Sequence, residues 1–387
     1  MKSLYADFNA SAPLCPNVRK MLIERMDTDL FANPSAGHVI GRQIAENIEA
    51  TRNLIADNVK VHRDHVIFNS GSSEGIANVF FSLFVEEKKP IKKKILISTI
   101  EHSAIVDNTN FYAKKFNQET KWVNVNQDGL IDLEAFEKSV KNSKDEITLV
   151  CIMAANNETG VIQPYKEIGK LCQDHGIPFL CDTTQLVGKV PFDFNDSNID
   201  YAFASGHKFG ALLGSGFIMV KDLNAFSSLI KGGGQEHGLR SGTQNYLAIE
   251  TLGVAISSFD AQFRRIPLME KARNEFEAGL KADLEDIFIF GENAPRVPTT
   301  TYLAQKNSDG QLVRQKLEKV GVYITTSSAC SDQGPTGSKV LRAMNIPFEY
   351  QMGALRMSLC LSCQPEEYQI ILEALKTVLR QKKKVSA

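Results

Sequence analysis

Three residue groups in this chain could do chemistry together: an amine, a carboxylate and a cradle for an anion. Lys208 stands in "ASGHKFGALLGSG" (204–216), behind an apolar run and before a glycine-rich turn. A lysine in a partly desolvated site binds its proton less firmly and becomes a nucleophile or base; with an aldehyde it condenses to a Schiff base. Asp182 ends "PFLCD" (178–182), directly after apolar residues, so its carboxylate needs a partner, either a helix N-terminus or a cationic ring nitrogen. Gly71, Ser72 and Ser73 open the helical pattern "GSSEGIANVFFSLF". Free N–H groups, the helix dipole and two hydroxyls suit an anion there, although Ser72 or Ser73 could instead only cap the helix. Two further loops are less pointed. A lone histidine such as His102 in "IEHSAI" is ordinarily structural, and paired asparagines such as those before Glu158 in "AANNETG" ordinarily stabilise a turn.

These groups must be positioned by the elements around them. Apolar runs at 65–70, 93–99, 147–153, 178–182, 200–205 and 216–220 read as strands, several of them buried on both faces. Helical patterns lie between them, for example "YKEIGKLCQDHG" (165–176), which closes on a glycine stop signal. Such alternation predicts an α/β fold with a mostly parallel sheet, whose ligands bind beyond the carboxyl ends of the strands. A long helical stretch over 246–282, without proline before Pro267, leads into a segment with fewer buried-strand signals. The expected organisation is a large domain over 15–260 and a smaller α+β domain made of residues 1–14 together with 261–387.

The 387 residues are 43% hydrophobic and 23% charged with a net charge of −1, the composition of a globular protein with no bulk affinity for nucleic acid or membrane. The N-terminus lacks an apolar signal-peptide core, and no segment approaches the ~18 apolar residues of a membrane span. Seven irregularly spaced cysteines argue for a reducing compartment, most simply the cytoplasm. The basic terminus "RQKKKVSA" reads as a solvated chain end. Pyridoxal phosphate requires an aldehyde-reactive lysine, an acid near its ring nitrogen and an anion site. Lys208, Asp182 and the Gly71–Ser73 turn supply one each, all at expected strand ends. No metal site is expected.

The motifs "NNETG", "DTTQ", "SGHK", "GGGQEHGLRSGT" and "SSAC", in this order, resemble those of cysteine desulfurases, a branch of the fold-type I pyridoxal-phosphate enzymes. The likeness runs from "YADFNASAP" and "NPSAGH" to "LRMSL", and the spacing after "SSAC" is similar to the long-loop branch. The resemblance implies that Lys208 holds the cofactor and moves the Cα proton, that Asp182 pairs with the ring nitrogen, and that Gln185 contacts the phenolic oxygen with Asn157 beside it, where Asn157 also meets the substrate. His102 would stack on the ring and shuttle a proton as a catalytic residue. Ser73, Ser205 and His207 would hold the phosphate, and Thr243 would reach the phosphate site of the other subunit of a homodimer. Arg356 would clamp the carboxylate of L-cysteine with Asn33 assisting, and Cys330 would take the sulfur as a persulfide, leaving L-alanine. A sulfur-acceptor protein, such as an iron–sulfur scaffold, would then receive it.

The chain departs from the family pattern in places. Ser73 stands where threonine is usual, Ser328 and Cys360 where glycine is common, and "LSCQPEE" drifts from the pattern. The short stretch after the last helical pattern leaves the docking of a scaffold open. Cys360 and Cys363 form a C-x-x-C, a weak redox signal without a second cysteine pair or a thioredoxin-like context. Cys151, Cys172 and Cys181 sit in apolar runs as small core residues, and Cys15 has no assigned role. A selenocysteine lyase, a small-substrate aminotransferase and a non-catalytic assembly scaffold are the alternatives.

Overall fold

The apolar runs assemble into one seven-stranded sheet. Its order is Val66–Asn69, Gly216–Val220, Tyr201–Ser205, Phe179–Cys181, Ile147–Cys151, Lys94–Ser98 and Glu119–Val123. Pairings are parallel except those of Gly216–Val220, which is antiparallel to both its neighbours. The structure is a computed structural model that describes residues 3–28, 32–326 and 337–381.

Successive side chains of a strand point to opposite faces, and here both faces are covered. Ile67, Ile95, Ile97, Leu149, Leu180 and Phe203 face one way, against Ile76, Val79 and Phe80 of the helix Ser72–Phe84 and Ile105 of Ser103–Lys115. Val66, Phe68, Leu96, Val150, Phe179 and Ala202 face the other, in a core shared with the helices Val39–Val59, Tyr165–Asp174 and Tyr246–Ile256. Double coverage explains why these strands are continuous apolar runs rather than alternating ones.

Two features differ from the sequence reading. Glu119–Val123, "ETKWV", is a strand although its composition is polar; it lies at the sheet edge, with Trp122 44% exposed. The stretch 246–282 is not one helix but three, Tyr246–Ile256, Phe259–Phe263 and Ile266–Asp283. Ser257 and Ser258 turn their hydroxyls back onto the carbonyls of Val254 and Ala255, an alternative to the helix ladder, and Pro267 sits in the first turn of the third helix.

Beyond this point a three-stranded antiparallel sheet forms, with Thr300–Gln305 between Ile287–Ile289 and Leu355–Ser358. Leu303, Leu317, Leu355 and Leu375 make a second core with Met269 and Leu280 of the helix Ile266–Asp283. Ala6 belongs to this core, and Leu4–Tyr5 pairs in parallel with Val322–Tyr323. Phe290, Val297 and Tyr302 reach instead into the core under the large sheet. No described helix is long and apolar enough to cross a membrane. Cys151, Cys172 and Cys181 are fully buried thiols.

Candidate active site

Strands of the parallel sheet end at one cavity of about 270 Å³. Its wall takes Ser72 and Ser73 from the turn after Val66–Asn69, and His102 from the loop after Lys94–Ser98. Asn157 follows Ile147–Cys151, Asp182 and Gln185 follow Phe179–Cys181, and Ser205, His207 and Lys208 close Tyr201–Ser205. Arg356 arrives from the second sheet. The structure thus brings together most of the residues singled out in the sequence. Thr243 is exposed and lines a separate cleft with Glu236 and Arg240. Asn33 is exposed outside the cavity wall, its side-chain oxygen accepting from the Ser35 N–H at 2.9 Å. Cys330 lies outside the described residues.

The anion cradle is built from backbone as much as from side chains. Gly71 is the N-cap of Ser72–Phe84 with φ 138°, and no side chain caps that end, so neither Ser72 nor Ser73 is the capping residue. Ser72 Oγ lies 2.7 Å from Thr184 Oγ1. A Cβ on Gly71 would stand 2.8 Å from Ser205 Oγ. The turn therefore excludes a side chain at this point and leaves its groups to the cavity.

Lys208 Nζ donates to the carbonyls of Asn9 at 2.9 Å and Ala10 at 2.8 Å. Asp182 makes a local turn, Oδ1 accepting from the Thr184 N–H at 2.9 Å. His102 is the N-cap of Ser103–Lys115, accepting from the Ala104 N–H at 3.2 Å, so it is structural and faces the cavity as well. Asn156 accepts from the N–H groups of Glu158 and Thr159 and makes the turn its type suggests, while Asn157 lines the site. Arg356 is 1% exposed; Nη1 donates to the Asn157 carbonyl at 2.9 Å and Nη2 to Asp7 Oδ1 at 2.6 Å. Its Nε is buried without a hydrogen-bond partner among the described residues.

Burial sets the protonation of the histidines. It lowers the His102 pKa, against a smaller raising influence of Asp182. Burial, then the Lys208 ammonium, brings His207 down to about 4. Both imidazoles are therefore neutral near pH 7 and can donate or accept a hydrogen bond. Buried Lys189, which donates to Asn9 Oδ1 and Gln185 Oε1, is pushed well below the usual lysine range, first by burial and then by Lys208 and Arg356.

The Aminotransferase class-V profile matches residues 4–371. The chain belongs to the class V aminotransferase family. Among curated relatives of this class V aminotransferase, "Cysteine desulfurase IscS" of Dictyoglomus turgidum is 30% identical over 393 residues, covering all of this chain and 96% of that protein. A solved "NifS-like protein" superposes with a TM-score of 0.87 at 28% identity, over 97% of this chain and 99% of the other. A structure titled "SspA in complex with cysteine" does so with a TM-score of 0.80 at 28% identity, over 92% and 99%.

Class V aminotransferases and cysteine desulfurases are pyridoxal-phosphate-dependent enzymes, and the residues gathered here fit that cofactor. Hydroxyls of Ser72, Ser73 and Ser205 with the neutral His207 surround a helix N-terminus, Asp182 offers a buried carboxylate, and Lys208 an amine on the same wall. The sequence reading missed the contribution of the N-terminal segment. Asn9 and Ala10 receive Lys208, Asp7 receives Arg356, and Asn9 Nδ2 donates to the Asn157 carbonyl at 3.2 Å. The only sequence signal was their place in "YADFNASAP", which carries no spacing to the residues they meet. Thr184, two residues after Asp182, and Lys189, seven after it, also meet site residues without a signal in the sequence that marks them.

Proposed function

We propose that this class V aminotransferase is a cysteine desulfurase, which takes sulfur from L-cysteine and releases L-alanine. The observation that carries the reading is the presence of Lys208, Asp182 and Arg356 on the wall of one cavity. A free amino acid needs an amine to act at Cα, a carboxylate opposite a ring nitrogen and a cation for its carboxyl group. Bound pyridoxal 5'-phosphate supplies an aldehyde for the lysine and a ring that takes up the electrons of the Cα–H bond. Lys208 holds it and moves the Cα proton. Asp182 would pair with the ring nitrogen, His102 would stack on the ring and shuttle a proton, and Gln185, with Asn157 beside it, would hold the phenolic oxygen. Gly71, Ser72, Ser73, Ser205 and His207 hold the phosphate.

Arg356, assisted by Asn33, orients the substrate carboxylate; the Cys330 thiolate attacks the substrate sulfur, the Cβ–S bond breaks with its electron pair left on Cβ, protonation there gives L-alanine, and the sulfur stays on Cys330 as a persulfide. The enzyme works as a homodimer in which Thr243 serves the neighbouring site; its exposure outside the Lys208 cavity supports this. A large domain over 15–260 carries the cofactor, and residues 1–14 with 261–387 form the small domain with the Cys330 loop. Sulfur passes to an acceptor protein of an iron–sulfur or other thiolation pathway in the cytoplasm.

The test is to incubate pure protein with L-cysteine and measure alanine, sulfide and protein-bound persulfide. Lys208→Ala should lower alanine formation on the order of 10³-fold or more, and Cys330→Ala should abolish the persulfide. Keto-acid formation that survives Cys330→Ala would replace this reading with an aminotransferase.

A further inference from the structure

A second cavity, also about 270 Å³, shares only Lys208 with the first. Its wall carries Cys15, Cys360 and Cys363 together with Lys189 and Glu367. The C-x-x-C segment closes on itself: the Cys363 N–H donates to the Cys360 carbonyl at 3.1 Å, bringing the two Sγ atoms to 3.3 Å. Ser362 Oγ lies 3.0 Å from Cys360 Sγ. The three thiols of the sheet core are fully buried; this pair is partly exposed and opens onto a space large enough for a small molecule.

The two sulfurs are not equivalent. The Cys363 thiol, then the Ser362 hydroxyl, favours a Cys360 thiolate against the cost of burial and lowers its pKa below the usual thiol range. The same contact, then burial, pushes Cys363 up. Lys189 and Lys208 stand on the same wall, and the electrostatic influence of Cys360 reaches Lys189. Cys15 donates to the Phe209 carbonyl at 3.3 Å, and burial raises it to about 11, so it stays a thiol. This is the division between an attacking and a resolving cysteine.

We propose that Cys360 and Cys363 form a redox-active dithiol, a second chemical site that exchanges with low-molecular-weight disulfides entering this cavity. The Cys360 thiolate attacks one sulfur of a disulfide RSSR; a Cys360–SR bond forms and RS⁻ leaves. Cys363 gives up its proton to that thiolate or to water and attacks Cys360 Sγ. The second RS⁻ departs and a Cys360–Cys363 disulfide remains. Two protein thiols are oxidised and one external disulfide is reduced to two thiols. Closure needs the sulfurs to approach from 3.3 Å to a bond of about 2.05 Å.

The experiment uses full-length, pre-reduced protein and oxidised glutathione as the probe, followed by alkylation, trypsin digestion and mass spectrometry. Both cysteines fall in one tryptic peptide, 357–376, so the disulfide reads as the loss of two hydrogens with protection from alkylation. That state should form in the wild type and revert with dithiothreitol. Cys363→Ser should hold glutathione on Cys360 as a stable mixed disulfide. Cys360→Ser should slow modification of Cys363 by about 10-fold or more. Full alkylation of both cysteines after the challenge, a bond from either one to Cys15, or equal glutathione loading of the two single variants would overturn the proposal. The readout is a mass and stands apart from desulfurase activity.

Discussion

Glu101 shows how one buried residue can shape the site from behind. It is fully buried; Oε1 accepts from Ser98 Oγ and from the Met153 N–H at 2.8 Å, while Oε2 has no partner among the described residues. Burial, with a smaller contribution from Asp182, raises its pKa from 4.5 to about 8. Between those values the native state holds a proton that the unfolded chain has lost. The native state therefore binds more protons, and stability falls as pH rises through the window. Glu101→Gln keeps the accepting oxygen and removes the charge. Its melting temperature should gain on the wild type by a few degrees as pH goes from about 6 to about 8.5, since ~1 kcal/mol moves Tm by roughly 2–4 °C in domains of 150–250 residues. A difference in Tm that does not change with pH would show that Glu101 does not titrate in this range.

At the scale of elements, each strand hands the chain to a loop whose start is set by the sheet edge, and the cradle at Gly71 is a tight one. Its φ of 138° and the 2.8 Å approach to Ser205 Oγ leave no place for a side chain. Gly71→Ala should displace Ser205 or the start of the helix Ser72–Phe84 and weaken cofactor retention by about 10-fold or more. Equilibrium dialysis against pyridoxal phosphate would check this, with unchanged retention counting against a phosphate role for the turn. The strands of the sheet interior were legible because burial on two faces demands continuous apolar runs. Glu119–Val123 was not, because an edge strand with Trp122 half in solvent has no such demand. The break at Ser257 and Ser258 was hidden for a similar reason: serine is tolerated inside a helix, and only its bonds to the preceding turn end the ladder here.

At the scale of the whole molecule, the N-terminal segment ties the parts together. Leu4–Tyr5 pairs with Val322–Tyr323, Asp7 meets Arg356, and Asn9 touches Lys208, Lys189, Asn157 and Thr300. The proposed exchange of Thr243 between subunits belongs to this scale as well. A Lys208→Ala subunit lacks the amine in its own site yet still offers Thr243 to its neighbour, while a Thr243→Ala subunit has the reverse defect. Mixed dimers of the two variants should recover up to about a quarter of wild-type activity, because half the dimers are hybrids with one intact site each. Activity equal to the sum of the separate variants would exclude a shared site. The sequence by itself determined the residue types and their placement at strand ends, since apolar periodicity and loop position are local properties. Only the tertiary structure decided that Asn9 and Ala10 receive Lys208, that Asp7 neutralises Arg356, and that Cys15 shares a cavity with Cys360 and Cys363. Those contacts join positions up to 349 residues apart, and chain closure over such distances leaves no local signature in the residues that meet.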